Sequence, residues 1–232
     1  MEIKSAQFLI SNTELAKCPK ADKPEYAFIG RSNVGKSSLI NSLTNNQKLA
    51  KVSGTPGKTQ LINHFLVKSG TSGKDDTTLW YLVDLPGYGF AKVSAKQRKQ
   101  WERMIEDYLR NRTNLITIFV LIDSRHEPQQ LDLDFIDQLG EWGIPFNLVF
   151  TKSDKSKQSE VAHNVKAFVS KLKEHWETVP RTFVTSAEKG TGRRELMSYI
   201  DELNIMFEED KQAGLVPQEN QEKKDPTENK GG

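Results

Sequence analysis

Residues 30–37 read Gly30-Arg31-Ser32-Asn33-Val34-Gly35-Lys36-Ser37, a complete G-x-x-x-x-G-K-[ST] phosphate-binding loop. Ahead of it, Pro24-Glu25-Tyr26-Ala27-Phe28-Ile29 reads as a short buried strand, and behind it Ser38-Leu39-Ile40-Asn41-Ser42-Leu43 carries helical spacing. That context gives the pattern a mechanism. Glycines let the chain turn tightly, so that backbone N–H groups converge on phosphate oxygens at the positive end of a helix. Lys36 is expected to reach the β- and γ-phosphates, and the Ser37 hydroxyl to ligate Mg²⁺. Four fixed positions match by chance in a chain of this length roughly once in a hundred, so a glycine-rich turn without a ligand is the poorer reading.

Further along, Leu148-Val149-Phe150-Thr151-Lys152-Ser153-Asp154 is an apolar strand ending in Thr-Lys-x-Asp. Guanine presents two adjacent donors, its ring N1–H and its exocyclic amine, and one carboxylate can accept both. Adenine offers no such pair, so Asp154 would discriminate by about 10³- to 10⁵-fold. The stem of Lys152 is expected to lie across the base. Taken alone the tetrapeptide resembles many polar turns; downstream of a phosphate loop it acquires meaning. Phe183-Val184-Thr185-Ser186-Ala187 is another strand, ending in Ser-Ala, whose small residues would admit the guanine oxygen to the N–H groups around Ala187. Between these lies Trp80-Tyr81-Leu82-Val83-Asp84-Leu85-Pro86-Gly87. Asp84 is suited to hold Mg²⁺ through a water, and Gly87 to offer its N–H to the γ-phosphate with no side chain in the way. The order of the four motifs is that of a guanine-nucleotide switch.

The chain has 232 residues, 36% hydrophobic and 28% charged, which suits one α/β domain with trimmings. It carries no apolar run long enough to span a bilayer and no apolar signal region after Met1-Glu2-Ile3-Lys4, so a cytoplasmic protein without stable membrane association is expected. Cys18 alone excludes an internal disulfide. His64, His126, His163 and His175 show no metal spacing. A net charge of +2 and a pI near 8.5 lack the strong bias of an autonomous nucleic-acid binder, and no DNA partner is expected. Basic residues nonetheless crowd the stretch after Gly87: Lys92, Lys96, Arg98, Lys99, Arg103, Arg110 and Arg112. A solvated helix face and a switch-linked contact to a phosphate backbone both fit them.

Residues 1–23 read as a leader whose apolar piece Phe8-Leu9-Ile10 can add to the fold. Strands are predicted at 24–29, 61–67, 78–83, 115–122, 144–150 and 181–185. Helices are predicted to about residue 44, then over 94–110, 128–142, 160–176 and 193–208. This alternation predicts a three-layer α/β fold with a mostly parallel, six-stranded sheet, and the 61–83 hairpin makes one edge strand antiparallel. The nucleotide-binding domain would span 24–208, followed by a tail, 209–232, whose Gln, Glu, Lys, Pro and Gly predict disorder.

A switch needs a mobile threonine that closes on Mg²⁺, and the loop 48–60 supplies Thr55 and Thr59. Many relatives follow Asp-x-x-Gly with a glutamine that orients the attacking water; here Tyr88 stands in that place. Unaided hydrolysis is therefore expected to be slow. Asn33 fits either a turn residue or a ligand for a monovalent cation bridging the phosphates.

Gly30 to Asn41, Thr55-Pro56-Gly57-Lys58-Thr59-Gln60, Asp84-Leu85-Pro86-Gly87-Tyr88-Gly89, Thr151-Lys152-Ser153-Asp154 and Thr185-Ser186-Ala187 together resemble the EngB (YihA/YsxC) family of bacterial GTPases, over roughly residues 5–205. The resemblance implies a Ras-like G domain that hydrolyses GTP, with Thr59 the switch threonine on Mg²⁺ beside Ser37 and Asp84. It implies catalytic roles for Lys36, Thr59 and Gly87. The implied nucleotide site is Gly30 to Ser38 (Gly30, Arg31, Ser32, Asn33, Val34, Gly35, Lys36, Ser37, Ser38), Gly57, Lys58, Thr59, Gln60, Leu61, Asp84, Leu85, Pro86, Gly87, Thr151, Lys152, Ser153, Asp154, Thr185, Ser186 and Ala187. It further implies action in assembly of the large ribosomal subunit, with precursor rRNA and ribosomal proteins as partners, and a need in cell division and septation. Asn33 matches the potassium-ligand asparagine of related potassium-stimulated GTPases, and a monomer is expected. The rival readings are a P-loop metabolic kinase, a non-enzymatic scaffold that uses bound nucleotide structurally, and a septum- or membrane-associated regulator.

Overall fold

Glu25-Tyr26-Ala27-Phe28-Ile29-Gly30 is buried at every position, as only a central strand covered on both faces can be. In the computed structural model, which describes residues 1–51, 61–71, 76–89 and 94–215, this segment is β2 (Glu25–Gly30). Its side chains alternate between two cores. Ala27 and Ile29 join Ile105, Tyr108, Leu109, Phe135, Ile136, Leu139, Phe168 and Leu172. Tyr26 and Phe28 join Leu39, Ile40, Leu43, Leu196, Met197 and Ile200. Those partners lie on five helices: α1 (Lys36–Leu43), α2 (Ala95–Asn111), α3 (Gln130–Glu141), α4 (Gln158–Leu172) and α5 (Arg193–Gln212). Helices α2, α3 and α4 therefore cover one face of the sheet and α1 and α5 the other, giving three layers.

The remaining strands are β1 (Glu2–Asn12), β3 (Ile62–Gly70), β4 (Thr77–Asp84), β5 (Leu115–Asp123), β6 (Phe146–Thr151) and β7 (Thr182–Val184). The sheet order is β1-β3-β4-β2-β5-β6-β7. Pairings β4/β2, β2/β5, β5/β6 and β6/β7 are parallel; β3/β4 and β1/β3 are antiparallel. The chain leaves β4 through α2 and crosses β2 to reach β5, so the order reverses around β2. The phosphate loop at the end of β2 thus sits at the switch point where such sheets bind ligands.

The mostly parallel α/β sheet stands as expected, but among the described residues it has seven strands rather than six and two antiparallel pairings at its edge. β1 pairs along β3 from Glu2↔Gly70 to Asn12↔Ile62, with register shifts at Ile3/Ser5 and Phe8/Ile10. Those bulges break the two-residue alternation that announces a strand, and its mostly exposed residues blur what remains. Phe8, Leu9 and Ile10 belong to it, with Phe8 edge-on to Phe65 at 6.0 Å. Helix α2 starts where Ser94 and Gln97 form a capping box. Helix α5 runs past the predicted Glu208 to Gln212, and residues 216–232, where disorder was expected, lie outside the described residues.

A buried polar knot fixes α2 to the sheet. Glu25, at the start of β2, accepts from Tyr108 Oη, from Arg112 Nε at 2.9 Å and Nη2 at 2.7 Å, and lies 3.6 Å from His64 Nε2. Burial alone would raise the Glu25 carboxyl; the neighbouring His64 ring and the Arg112 guanidinium overcome it and hold the group at about 2. Arg112 is thereby removed from the solvent-facing basic stretch that the sequence suggested, and Arg110 pairs with Glu106 at 2.9 Å. Lys92 lies outside the described residues.

Candidate functional site

The phosphate loop turns on two residues in left-handed backbone, Asn33 at φ 63° and Gly35 at φ 104°. Asparagine tolerates this region better than most side chains, and glycine enters it without penalty. Gly35 is the N-cap of α1 and no side chain caps that helix, so the N–H groups of its first turn stay available to an anion. Lys36 and Ser37 open the helix, half-buried, and Ser38 follows exposed.

Lys36 Nζ contacts the Asp84 carboxylate, at the end of β4. Burial pushes the Lys36 ammonium down to about 7, so the loop holds this charge in a site that disfavours it unless an anion is near. Leu85 and Pro86 are buried, and the Leu85 N–H donates to the Phe28 carbonyl at 3.0 Å. Gly87 lies so close to the phosphate loop that a Cβ there would stand 2.4 Å from the Gly30 carbonyl oxygen. No other residue fits that approach.

The base-side motifs reach the same loop. The Thr151 hydroxyl donates to the Val34 carbonyl at 2.6 Å. Lys152, in left-handed backbone at φ 59°, passes its stem over Gly35 and donates from Nζ to the Asn33 carbonyl at 2.5 Å and to Asp123 Oδ2 at 2.9 Å. The buried Ser153 N–H donates to the Thr185 carbonyl at 3.1 Å, tying the two strand ends together. Ser186 Oγ donates to Asp154 Oδ1 at 2.5 Å, and Lys155 Nζ lies 3.1 Å from Oδ2. The Ser186 bond and Lys155 hold the Asp154 carboxyl below its usual range, so it presents a full charge. Ala187 is half-buried beside it.

Direct contacts thus bring all four motifs to one rim at the strand ends. Gly57, Lys58, Thr59 and Gln60, with Thr55, lie outside the described residues; Leu61, described, is exposed. Three residues that motif reading passes over belong to the same rim. Asp123, at the end of β5, takes a bidentate pair from Arg125 at 2.9 and 2.7 Å besides Lys152. Partial burial would raise its carboxyl, but Arg125 and Lys152 bring it down to about 2. The third is Asp132, on α3, whose carboxylate meets both Arg31 and Tyr88. The only sequence signal for Asp123 is an acid ending an apolar strand; Asp132 has none, since it reads as a polar position in a helix.

Among the described residues no group of three or more His, Cys, Asp or Glu side chains is placed to hold a metal. A magnesium ion held by one carboxylate, one hydroxyl and phosphate oxygens needs no such group, and Asp84 beside the first turn of α1 fits that donor set. No helix of the described residues is long and apolar enough to cross a membrane.

The family model described as "50S ribosome-binding GTPase" matches residues 25–152. A Porphyromonas gingivalis protein named "Probable GTP-binding protein EngB" is 56% identical over 204 residues, covering 88% of this chain and 97% of its own. A Flavobacterium psychrophilum protein of the same name is 54% identical over 205 residues, covering 88% and 96%. Among solved structures, one titled as a probable GTP-binding protein engB matches 78% of this chain and 99% of its own at 24% identity and a TM-score of 0.54. Era, in complex with MgGDPNP and a segment of 16S ribosomal RNA, matches 85% and 58% at 21% identity and a TM-score of 0.61; these likenesses show the fold. With the P-loop α/β fold and the gathered motifs, the extent of these matches makes the chain a GTP-hydrolysing member of the EngB family of GTP-binding proteins.

Proposed function

We propose that this GTPase is a nucleotide switch in assembly of the large ribosomal subunit, with the motif residues in the following roles. The observation that carries the site reading is the single rim on which Lys36 meets Asp84, Lys152 meets Asn33, and Ser186 holds Asp154. The uncapped N–H groups of α1 and Lys36 bind the phosphates, Lys36 turning from Asp84 to a phosphate oxygen as nucleotide enters. That exchange leaves the Ser37 hydroxyl and the Asp84 carboxylate, with Thr59, as oxygen donors for Mg²⁺. Magnesium, when bound, offsets charge on the β- and γ-oxygens. Gly57, Lys58, Gln60 and Leu61 are assigned to nucleotide binding by the family resemblance, and the Gly87 N–H senses the γ-phosphate. Asp154 reads the guanine edge, and the stem of Lys152 covers the base.

Hydrolysis needs a water in line with the γ-phosphorus, and no side-chain amide stands at position 88 to orient it. Slow intrinsic turnover follows, with an activator supplied by the partner or by potassium bound at Asn33; turnover compared in potassium and sodium chloride tests the second source. The ribosomal assignment is supported by the description of the matching family as ribosome-binding; a role in cell division and a cytoplasmic location are added by the family resemblance alone. Co-sedimentation with large ribosomal subunits at moderate salt tests it. Binding with a non-hydrolysable GTP analogue but not with GDP is the expected outcome, and equal or absent binding in both states refutes it.

A further inference from the structure

One buried carboxylate ties the phosphate loop to the residue after Gly87. Asp132 lies in the first turn of α3, fully buried. The Tyr88 hydroxyl donates to Asp132 Oδ1 at 2.7 Å, and Arg31 Nε approaches the same oxygen at 3.1 Å. The Tyr88 ring stacks on Phe135, also on α3, with centroids 4.3 Å apart and planes 18° from parallel. Beyond it, Gly89 lies beside α3, where an added Cβ would meet Leu131 at 3.3 Å. Burial pushes the Asp132 carboxyl up, against the pull of Tyr88 and Arg31. An acid retained in so unfavourable a place depends on those two partners.

The segment 84–88 is therefore engaged at three points: Asp84 with Lys36, Gly87 against the Gly30 carbonyl, and Tyr88 on α3. The residue standing where many switch proteins carry a water-orienting glutamine directs its hydroxyl at α3. On the roles assigned above, a γ-phosphate comes to the Gly87 N–H, one residue before Tyr88, and a diphosphate lacks the group that would meet this segment. A contact made in one arrangement and lost in the other shifts the equilibrium between them by its own strength.

We propose that Asp132 is a positioning residue for nucleotide discrimination: by holding Tyr88 and Arg31 on one carboxylate it keeps segment 84–89 in the arrangement that accepts GDP, and entry of GTP requires the Tyr88 contact to part. The proposal rests on the assignment of this rim as the GTP site. It gives α3 a part in the switch although no side chain of α3 need touch nucleotide.

The test is the dissociation constant of the full chain for GDP and for a non-hydrolysable GTP analogue, in wild type, Tyr88→Phe and Asp132→Asn. Phenylalanine keeps the stack on Phe135 and removes only the hydroxyl; asparagine keeps an acceptor and the volume and removes the charge. Each variant is expected to shift the ratio of the two affinities toward the analogue by about fivefold or more. The double variant should shift it by less than the product of the two, because both act on one contact. A merely structural role would lower the melting temperature and weaken both nucleotides alike, leaving the ratio in place. A ratio unchanged in both single variants, or moved toward GDP, overturns the proposal. Failure of the wild-type chain to bind either nucleotide would overturn the site assignment beneath it, and the proposal with it.

Discussion

Asp154→Asn exchanges one carboxylate oxygen for an amino group at the residue assigned to the base. Ser186 Oγ donates to Oδ1 at 2.5 Å and Lys155 Nζ lies 3.1 Å from Oδ2; whichever oxygen the NH₂ replaces, the residue keeps one acceptor edge and loses its charge. Guanine offers two donors, its N1–H and its exocyclic amine. Asparagine accepts one and opposes the other with a donor of its own. A hydrogen bond to a charged group contributes about 1.5–3 kcal/mol, and a polar group buried without a partner costs about 1–3 kcal/mol. The combined loss is about 3 kcal/mol or more, which raises the GDP dissociation constant by about a hundredfold or more. Xanthine carries a carbonyl in place of the amine and so presents a donor beside an acceptor, which asparagine matches. Isothermal titration calorimetry with GDP and XDP on wild type and variant reads both effects, with a melting curve to show that the variant is folded. GDP affinity within about threefold of wild type, with no gain for XDP, would refute the reasoning.

Lys36→Ala should weaken GDP binding by about a hundredfold or more, measured by fluorescent-nucleotide titration, because the phosphates lose their one lysine in the loop; retained affinity would contradict its role. Glu25 sets an acid limit to stability. Its folded carboxyl is depressed from 4.5 to about 2, so its contribution is full above pH 4.5 and drains away as pH falls toward 2. That amounts to about 3 kcal/mol over the window. Denaturant melts of wild type and Glu25→Gln between pH 7 and 3 should show a lower but flatter profile in the variant, and parallel profiles would disprove the link. Asp123→Asn removes the carboxylate that steers Lys152 and should weaken GDP binding several-fold, read in the same titration; the unchanged value would leave Asp123 a purely structural partner of Arg125.

Much of the molecule could be read along the chain because its signals are local. β2, the phosphate loop and α1 form one continuous segment in which burial, turn chemistry and helix start reinforce each other. The strands ending in Asp84 and Thr151 were legible because a run buried on both faces is apolar throughout. β1 escaped because an edge strand with two bulges has neither a continuous run nor a clean alternation. Arg112 was misplaced among surface charges because nothing near it in sequence indicates Glu25, its partner across the fold.

The sequence by itself determined the chemistry available here: a phosphate loop, an acid and a glycine at a strand end, a carboxylate suited to guanine, and their order. Each depends on residue types at fixed short spacings, so a linear string suffices to specify it. Only the tertiary structure decided which groups share a partner. That Asp123 steers Lys152, that Ser186 holds Asp154 and that Asp132 joins Arg31 to Tyr88 are facts about side chains far apart in sequence. Such contacts arise from the parallel sheet, which brings the ends of distant strands, and the helices that follow them, to one rim.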